Sequence, residues 1–148
     1  MLTIKKAQLS DIQAISNLYE MYLSFYQVDT SHKDPEAFLR TRLENNESVI
    51  YYVVNGNNEY VGFAQLYPLF CSLEMNKTWL LYDLYVHAEH RKNGVAQLLL
   101  DQADLLAKET NASFVMLSTG IDNLKAQKLY EKNNYIRDNE FYTYVKSL

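Results

Sequence analysis

Six residues, Arg91-Lys92-Asn93-Gly94-Val95-Ala96, stand between two apolar runs of different period and constrain the fold more than any other part of the chain. The run before them, Trp79-Leu80-Leu81-Tyr82-Asp83-Leu84-Tyr85-Val86, has the length and composition of a strand. The run after them begins near Gly94-Val95-Ala96-Gln97-Leu98-Leu99-Leu100 and carries Val95, Leu98, Leu99, Ala103 and Leu106 at helical spacing to about Lys108. A strand, a basic turn with a small residue, then a helix N-terminus is an arrangement that holds a pyrophosphate. The exposed N–H groups of the first helical turn and the partial positive charge there point at the anion. With Ser113 to Ser118 as the next strand, Thr78 to Ser118 forms a β-α-β unit whose two strands run parallel.

The remaining elements follow from local signals. Leu2-Thr3-Ile4 reads as a first strand, and Ser10-Asp11-Ile12-Gln13 as a capping-box start for a helix carrying Ile12, Ile15, Tyr19, Tyr22 and Tyr26. Asp34-Pro35 opens a second helix that bears Phe38, Leu39 and Leu43 and ends near Asn45-Asn46. Ser48 to Val54 and Tyr60 to Leu69 make a hairpin about Asn55-Gly56-Asn57-Asn58, with Pro68 marking a bend or an edge. Asn123 caps a last helix with Ala126, Leu129 and Tyr130, which Asn133-Asn134 ends. Tyr135-Ile136-Arg137 and Phe141 to Val145 are expected to form a final hairpin. The order β-α-α-β-β-β-α-β-α-β-β defines an α/β (α+β) class with a mixed sheet of about seven strands and four flanking helices, in one domain over residues 1–148.

Composition narrows the functional classes. The formal net charge of −4 argues against a nucleic-acid binder. No apolar run approaches the roughly 18 residues of a membrane span, and Met1-Leu2-Thr3-Ile4-Lys5 does not read as a signal peptide. A lone Cys71 excludes an intrachain disulfide and fits a cytoplasmic setting. His32, His87 and His90 lack ligand spacing, so no metal is expected. Up to residue 62 there are eight acids against five bases, an excess that suits a cationic second ligand. Thirteen tyrosines supply rings with polar tips, suited to partly wet clefts.

The turn has no Gly-Lys-Ser/Thr and one glycine rather than three, so neither the Walker loop nor the dinucleotide fingerprint applies. Three strings share this element order: Leu84-Tyr85-Val86, Arg91-x-x-Gly94-x-Ala96, and Asn123-x-x-Ala126-x-x-Leu129-Tyr130-Glu131-Lys132. Together they resemble the GNAT (Gcn5-related N-acetyltransferase) superfamily, over essentially the whole chain and most specifically from Thr78 to Tyr135. The resemblance implies an acetyl-CoA-dependent N-acetyltransferase in which amine and donor are held together. Pantetheine would pair with backbone near Leu84, Tyr85 and Val86 as an added strand. The pyrophosphate would sit on Arg91, Lys92, Asn93, Gly94, Val95 and Ala96, with Asn123 facing the pantetheine.

Tyr130 falls where the family carries a proton donor near the thioester sulfur. The base is less defined: relatives often have an acid two residues before Leu84, where this chain has Tyr82, which leaves Asp83 as the group to hold an ammonium or accept its proton. Tyr22, Phe25 and Tyr26 on the first helix, with Gln65, Tyr67 and Tyr82, are the expected acceptor wall, able to attract an ammonium by cation–π contact. The expected acceptor is a small cationic or polyamine-like primary amine, with a peptide amine or a non-catalytic acyl-CoA-binding module as alternatives. A homodimer, common in the superfamily, is the expected assembly.

Overall fold

In the strand Val49–Val54, every residue after the first is buried, so a layer must cover each face. The computed structural model describes residues 1–148, which divide into two compact units, residues 1–117 and residues 118–148. In the first unit a five-stranded sheet runs in the order β1 (Thr3–Lys6), β2 (Val49–Val54), β3 (Tyr60–Cys71), β4 (Asn76–Val86), β5 (Val115–Met116). Neighbours are antiparallel except β4 and β5, which are parallel as the β-α-β reading requires.

One face of the sheet presents Ile50, Tyr52, Val54 and Phe63 to the helices α1 (Ile12–Phe25) and α2 (Pro35–Glu44). Ile12, Ile15 and Leu18 of α1 and Leu39 of α2 complete that core. The helix α3 (Val95–Glu109) covers the other face, burying Val95, Leu99, Leu100, Ala103 and Leu106. Leu100 is thus buried where Leu98 was expected, and Leu98 lies half-buried. Gly62 on β3 makes the close approach possible: a Cβ there would lie 2.6 Å from Val95 Cγ1 and 3.1 Å from the Tyr85 carbonyl oxygen.

Asp34 caps α2 as its sequence indicates, its carboxylate accepting from the Ala37 N–H at 3.0 Å, with Pro35 in the first helical position. The entry to α1 differs from expectation. A 3₁₀ turn over Leu9–Asp11 precedes it, and the reciprocal cap pairs Gln8 with Asp11 rather than starting at Ser10. Asp11 accepts from the Gln8 N–H at 2.9 Å and from the hydroxyls of Tyr52 and Tyr60 at 3.0 Å each, whose rings stack 4.7 Å apart. Pro68 lies in the β3–β4 ladder beyond the last β2–β3 pair, Val49 with Leu66. Its missing N–H therefore costs no bond to β2.

The second unit contains α4 (Leu124–Lys132). Asn123 caps it, accepting from the Ala126 N–H at 3.3 Å, and Asn134 takes the left-handed conformation (φ 69°) just past its end. The expected strand Ser113 to Ser118 shortens to Val115–Met116, and the expected final hairpin is not formed. Asp138 does make a turn, accepting from the N–H groups of Glu140 and Phe141 at 2.8 and 3.2 Å. The flanking arms stay exposed, Ile136 and Tyr142 at 91% each. A strand pattern without a packed face or a ladder partner has little intrinsic stability. The sheet therefore has five strands rather than seven, with the four helices as expected.

Because backbone and a β-branched side chain both meet the new methyl group, Gly62→Ala should destabilise the protein by about 1–3 kcal/mol in urea unfolding, without changing the unfolding slope.

Candidate active site

The turn between β4 and α3 is fixed from both ends. The Arg91 side chain donates through Nε to the Val86 carbonyl at 3.1 Å and lies over the Tyr85 ring at 5.7 Å. The His87 N–H donates to the Val61 carbonyl at 2.9 Å, and its Nδ1 accepts from the Glu89 N–H at 3.1 Å, which makes His87 a turn residue. Lys92 (φ 66°) and Gly94 (φ 86°) are both left-handed. At Gly94 a Cβ would meet nothing within 4 Å, so the glycine serves the backbone angle, and the space above it is open. The intrahelical ladder of α3 begins with Leu98 donating to Gly94 at 3.1 Å. No side chain caps this N-terminus and no acid lies in its first turn. Open space over an uncapped helix start fits a pyrophosphate group.

β4 and β5 pair only at Trp79 with Val115 and Leu80 with Met116. From Leu81 onward β4 has no strand on that side, while Leu84, Tyr85 and Val86 keep their pairs with Ala64, Phe63 and Gly62 of β3. The strand edge there is available to an extended arm carrying amide groups.

On β4 the register shifts: Gln65 faces Asp83, but Leu66 faces Leu81, leaving Tyr82 as an extra residue. Asp83 and Gln65 share the α1 face with Phe63 and Tyr67, since alternate strand residues point the same way. Asp83 is 6% exposed and its carboxylate accepts from Gln65 Nε2 at 2.8 Å. The Gln65 Oε1 in turn accepts from the Ser48 hydroxyl at 2.7 Å. The Tyr22 hydroxyl lies between this carboxylate and the Tyr82 carbonyl, 3.4 Å from the latter. Neither of the chain's ion pairs, Arg40 with Glu36 and Arg42 with Glu47, involves Asp83. Burial raises the Asp83 carboxyl above its ordinary range, opposed by the hydrogen bonds from Gln65 and Tyr22. Burial, and then the adjacent Asp83, raises the phenols of Tyr19, Tyr22 and Tyr67 as well. These hydroxyls are neutral donors at ordinary pH.

Rings enclose the carboxylate. Tyr22 lies 6.1 Å from Tyr85 and 6.0 Å from Phe63, and Tyr67 meets Tyr82 edge to face at 5.7 Å. Tyr82 is 63% exposed. Phe25 and Tyr26 sit at the exposed end of α1, joined to this group through the Tyr22–Tyr26 contact at 5.1 Å. Gln65 is fully buried with its oxygen turned to Ser48 and its nitrogen to Asp83, so it acts behind the wall rather than in it. Ser48 was not among the expected site residues, and only its position opposite a buried polar strand residue would have found it. Tyr19 packs against the core, as its helical spacing indicates. In the second unit, Asn123 spends its side-chain oxygen on the α4 cap, and Tyr130, half-buried, meets Tyr135 edge to face at 5.9 Å.

A mixed sheet that parts beside an uncapped helix start defines an α/β class with an open anion site, which agrees with the resemblance read from the sequence, and comparison with known proteins makes it specific. The model of the acetyltransferase (GNAT) family matches residues 15–135, and the chain belongs to that family. It is 40% identical over 143 residues to the uncharacterized N-acetyltransferase YhfO of Bacillus subtilis strain 168, covering 97% of this chain and 95% of that one. The crystal structure of a probable acetyltransferase superposes with a TM-score of 0.92 at 37% identity, over 99% of this chain and 97% of the other. A predicted acetyltransferase from Clostridium acetobutylicum, crystallised with acetyl-CoA, shares the fold (TM-score 0.79, 19% identity, 98% and 96% covered). The protein is an acetyltransferase, and acetyl-CoA is the acetyl donor of its family. No helix is long and apolar enough to cross a membrane.

A carboxyl with a raised folded-state pKa favours the fold in its protonated form. Its stabilising contribution is complete below the unfolded value of about 3.9 and is lost as pH rises through the folded value. Asp83→Asn should therefore melt about 2–4 °C higher than the parent protein at pH 7.5, with the gap closing toward pH 4, as followed by circular dichroism.

Proposed function

We propose that the protein transfers the acetyl group of acetyl-CoA to a small, cationic primary amine, and that Asp83 receives the ammonium. The observation that carries this reading is a buried carboxylate without a cationic partner, ringed by Tyr22, Tyr67 and Tyr82. An ammonium supplies the missing charge, and tyrosine faces add cation–π attraction while holding off water.

The amine must be neutral to attack. Asp83 accepts one proton from the ammonium, directly or through one water, and its raised affinity for protons suits that task. The freed nitrogen pair forms the new C–N bond to the acetyl carbonyl carbon, and the C–S bond breaks. Tyr130 gives its phenolic proton to the departing thiolate and regains one, through water, from the nitrogen, which sheds a second proton as it becomes an amide; Asp83 returns its own proton to solvent. The Gly94–Ala96 backbone holds the pyrophosphate, with Arg91, Lys92 and Asn93 shaping the turn. The edge at Leu84, Tyr85 and Val86 aligns pantetheine, and the family resemblance assigns Asn123 to the same arm.

The same reading takes the protein as a cytoplasmic homodimer. Support for self-association comes from Phe70, Leu73 and Met75, which are 81–90% exposed around the β3–β4 turn.

A panel of small amines, polyamines and peptide N-termini assayed for free CoA release tests the acceptor class. Small diamines should show the highest kcat/KM, and a preference for peptides would overturn that assignment. Asp83→Asn should lower kcat/KM for the amine about 10²–10⁴-fold with little change in KM for acetyl-CoA. Tyr130→Phe should lower kcat about 10²-fold, most with the poorest nucleophiles. Unchanged turnover in either variant removes that residue from the chemistry.

A further inference from the structure

We propose that Ser48, Gln65 and Asp83 form a reversible hydrogen-bond chain in which the Gln65 amide turns over as Asp83 gains and loses a proton. The three side chains are almost without solvent, at 7%, 0% and 6% exposure. They are linked in series at 2.7 and 2.8 Å. An ionised carboxylate only accepts, an amide has one accepting and one donating end, and a hydroxyl does either.

With Asp83 ionised, Ser48 donates to Gln65 Oε1 and Gln65 Nε2 donates to Asp83, as observed. With the proton on Asp83 Oδ2, the oxygen that Gln65 Nε2 reaches, two donors would face each other. Rotating the amide by half a turn lets the Asp83 O–H donate to Gln65 Oε1 and Gln65 Nε2 donate to Ser48 Oγ. The Ser48 proton then needs an acceptor. Ser48 borders a cavity of about 240 Å³ whose wall includes Gln8 and Asn46, polar enough to provide one. Neither state strands a buried donor or acceptor, which would otherwise raise the cost of moving a proton in so dry a place.

Other groups near Asp83 do not compete for this proton. Tyr19 and Tyr22 of α1, Tyr67 of β3 and Tyr82 of β4 surround it, and the three whose phenols shift all shift upward. Arg42 of α2 is held by Glu47 at 2.8 Å and stacks on Phe38 at 4.3 Å. Gln65 is thus a positioning residue that acts through Asp83, and its catalytic consequence rests on the amine role proposed for Asp83.

Heteronuclear NMR on the full chain without substrate tests this, following the Asp83 carboxyl carbon and the Gln65 side-chain amide through one pH titration. Both should report a single midpoint. Nuclear Overhauser contacts from the Nε2 protons to the Ser48 β-protons should appear on the acid side. An amide that keeps one orientation across the Asp83 titration overturns the proposal, and this measurement needs no variant. In Gln65→Met the Asp83 midpoint should rise by about 1 pH unit or more, and the acid limb of kcat/KM should follow it. KM for acetyl-CoA should stay within twofold. An unmoved midpoint also overturns the proposal. If Asp83→Asn retains full turnover while the coupled titration is seen in the parent protein, the amine role fails and the chain stands.

Discussion

Between Leu81 and Asp83, β4 carries one residue more than β3 opposite it, and the polar cluster around Asp83 depends on that extra residue. Gln65 and Leu66 are consecutive and so point to opposite faces. Their partners, Asp83 and Leu81, do likewise, although strict alternation would put those two on the same side. Without the shift, Asp83 would turn with Leu81 toward the apolar underside of α3, or Leu81 would turn into the polar cluster. The bulge keeps Leu81 in the core and delivers a carboxylate to the α1 face. It lies within reach of Tyr22 and behind the half-exposed ring of Tyr82.

That placement carries an energetic cost which the rest of the site offsets only in part. A buried carboxylate without a cation is stabilised here by one amide donor and a tyrosine hydroxyl, weaker than the pairing a guanidinium would supply. On the proposed reading, the ammonium of the acceptor supplies the missing positive charge. The turn before α3 is built on different terms: it offers main-chain geometry, a left-handed glycine and an unpaired strand edge, rather than a charged side chain of fixed identity.

This difference explains what the sequence revealed. The turn before α3 was legible as structure because a left-handed turn into a helix demands particular residue types at fixed offsets, Gly94 at the turn and a strand before it. The helix caps at Asp34 and Asn123 were legible for the same local reason. Asp83 was legible as a candidate, but its surroundings were not. Ser48 and Gln65 are 17 positions apart in the chain and meet only through strand register. The bulge leaves no compositional mark in Tyr82-Asp83. The final hairpin failed in the opposite direction, because Phe141 to Val145 has strand propensity but the pattern alone does not supply a partner strand.

Asp11 gathers three donors, from Gln8, Tyr52 and Tyr60, where α1 starts. This carboxylate rivets one end of a rod to the sheet, and Tyr22 rides near the other end, about 16 Å away at 1.5 Å per residue. A tilt of about 4° about that rivet would carry the Tyr22 ring about 1 Å across the carboxylate it overlooks. The dimensions of the Tyr22–Asp83 cluster are therefore set in part at a point that touches none of its members. On the proposed reading, selection for a differently shaped amine acts on the Asp11 anchor while leaving every residue of the cluster in place.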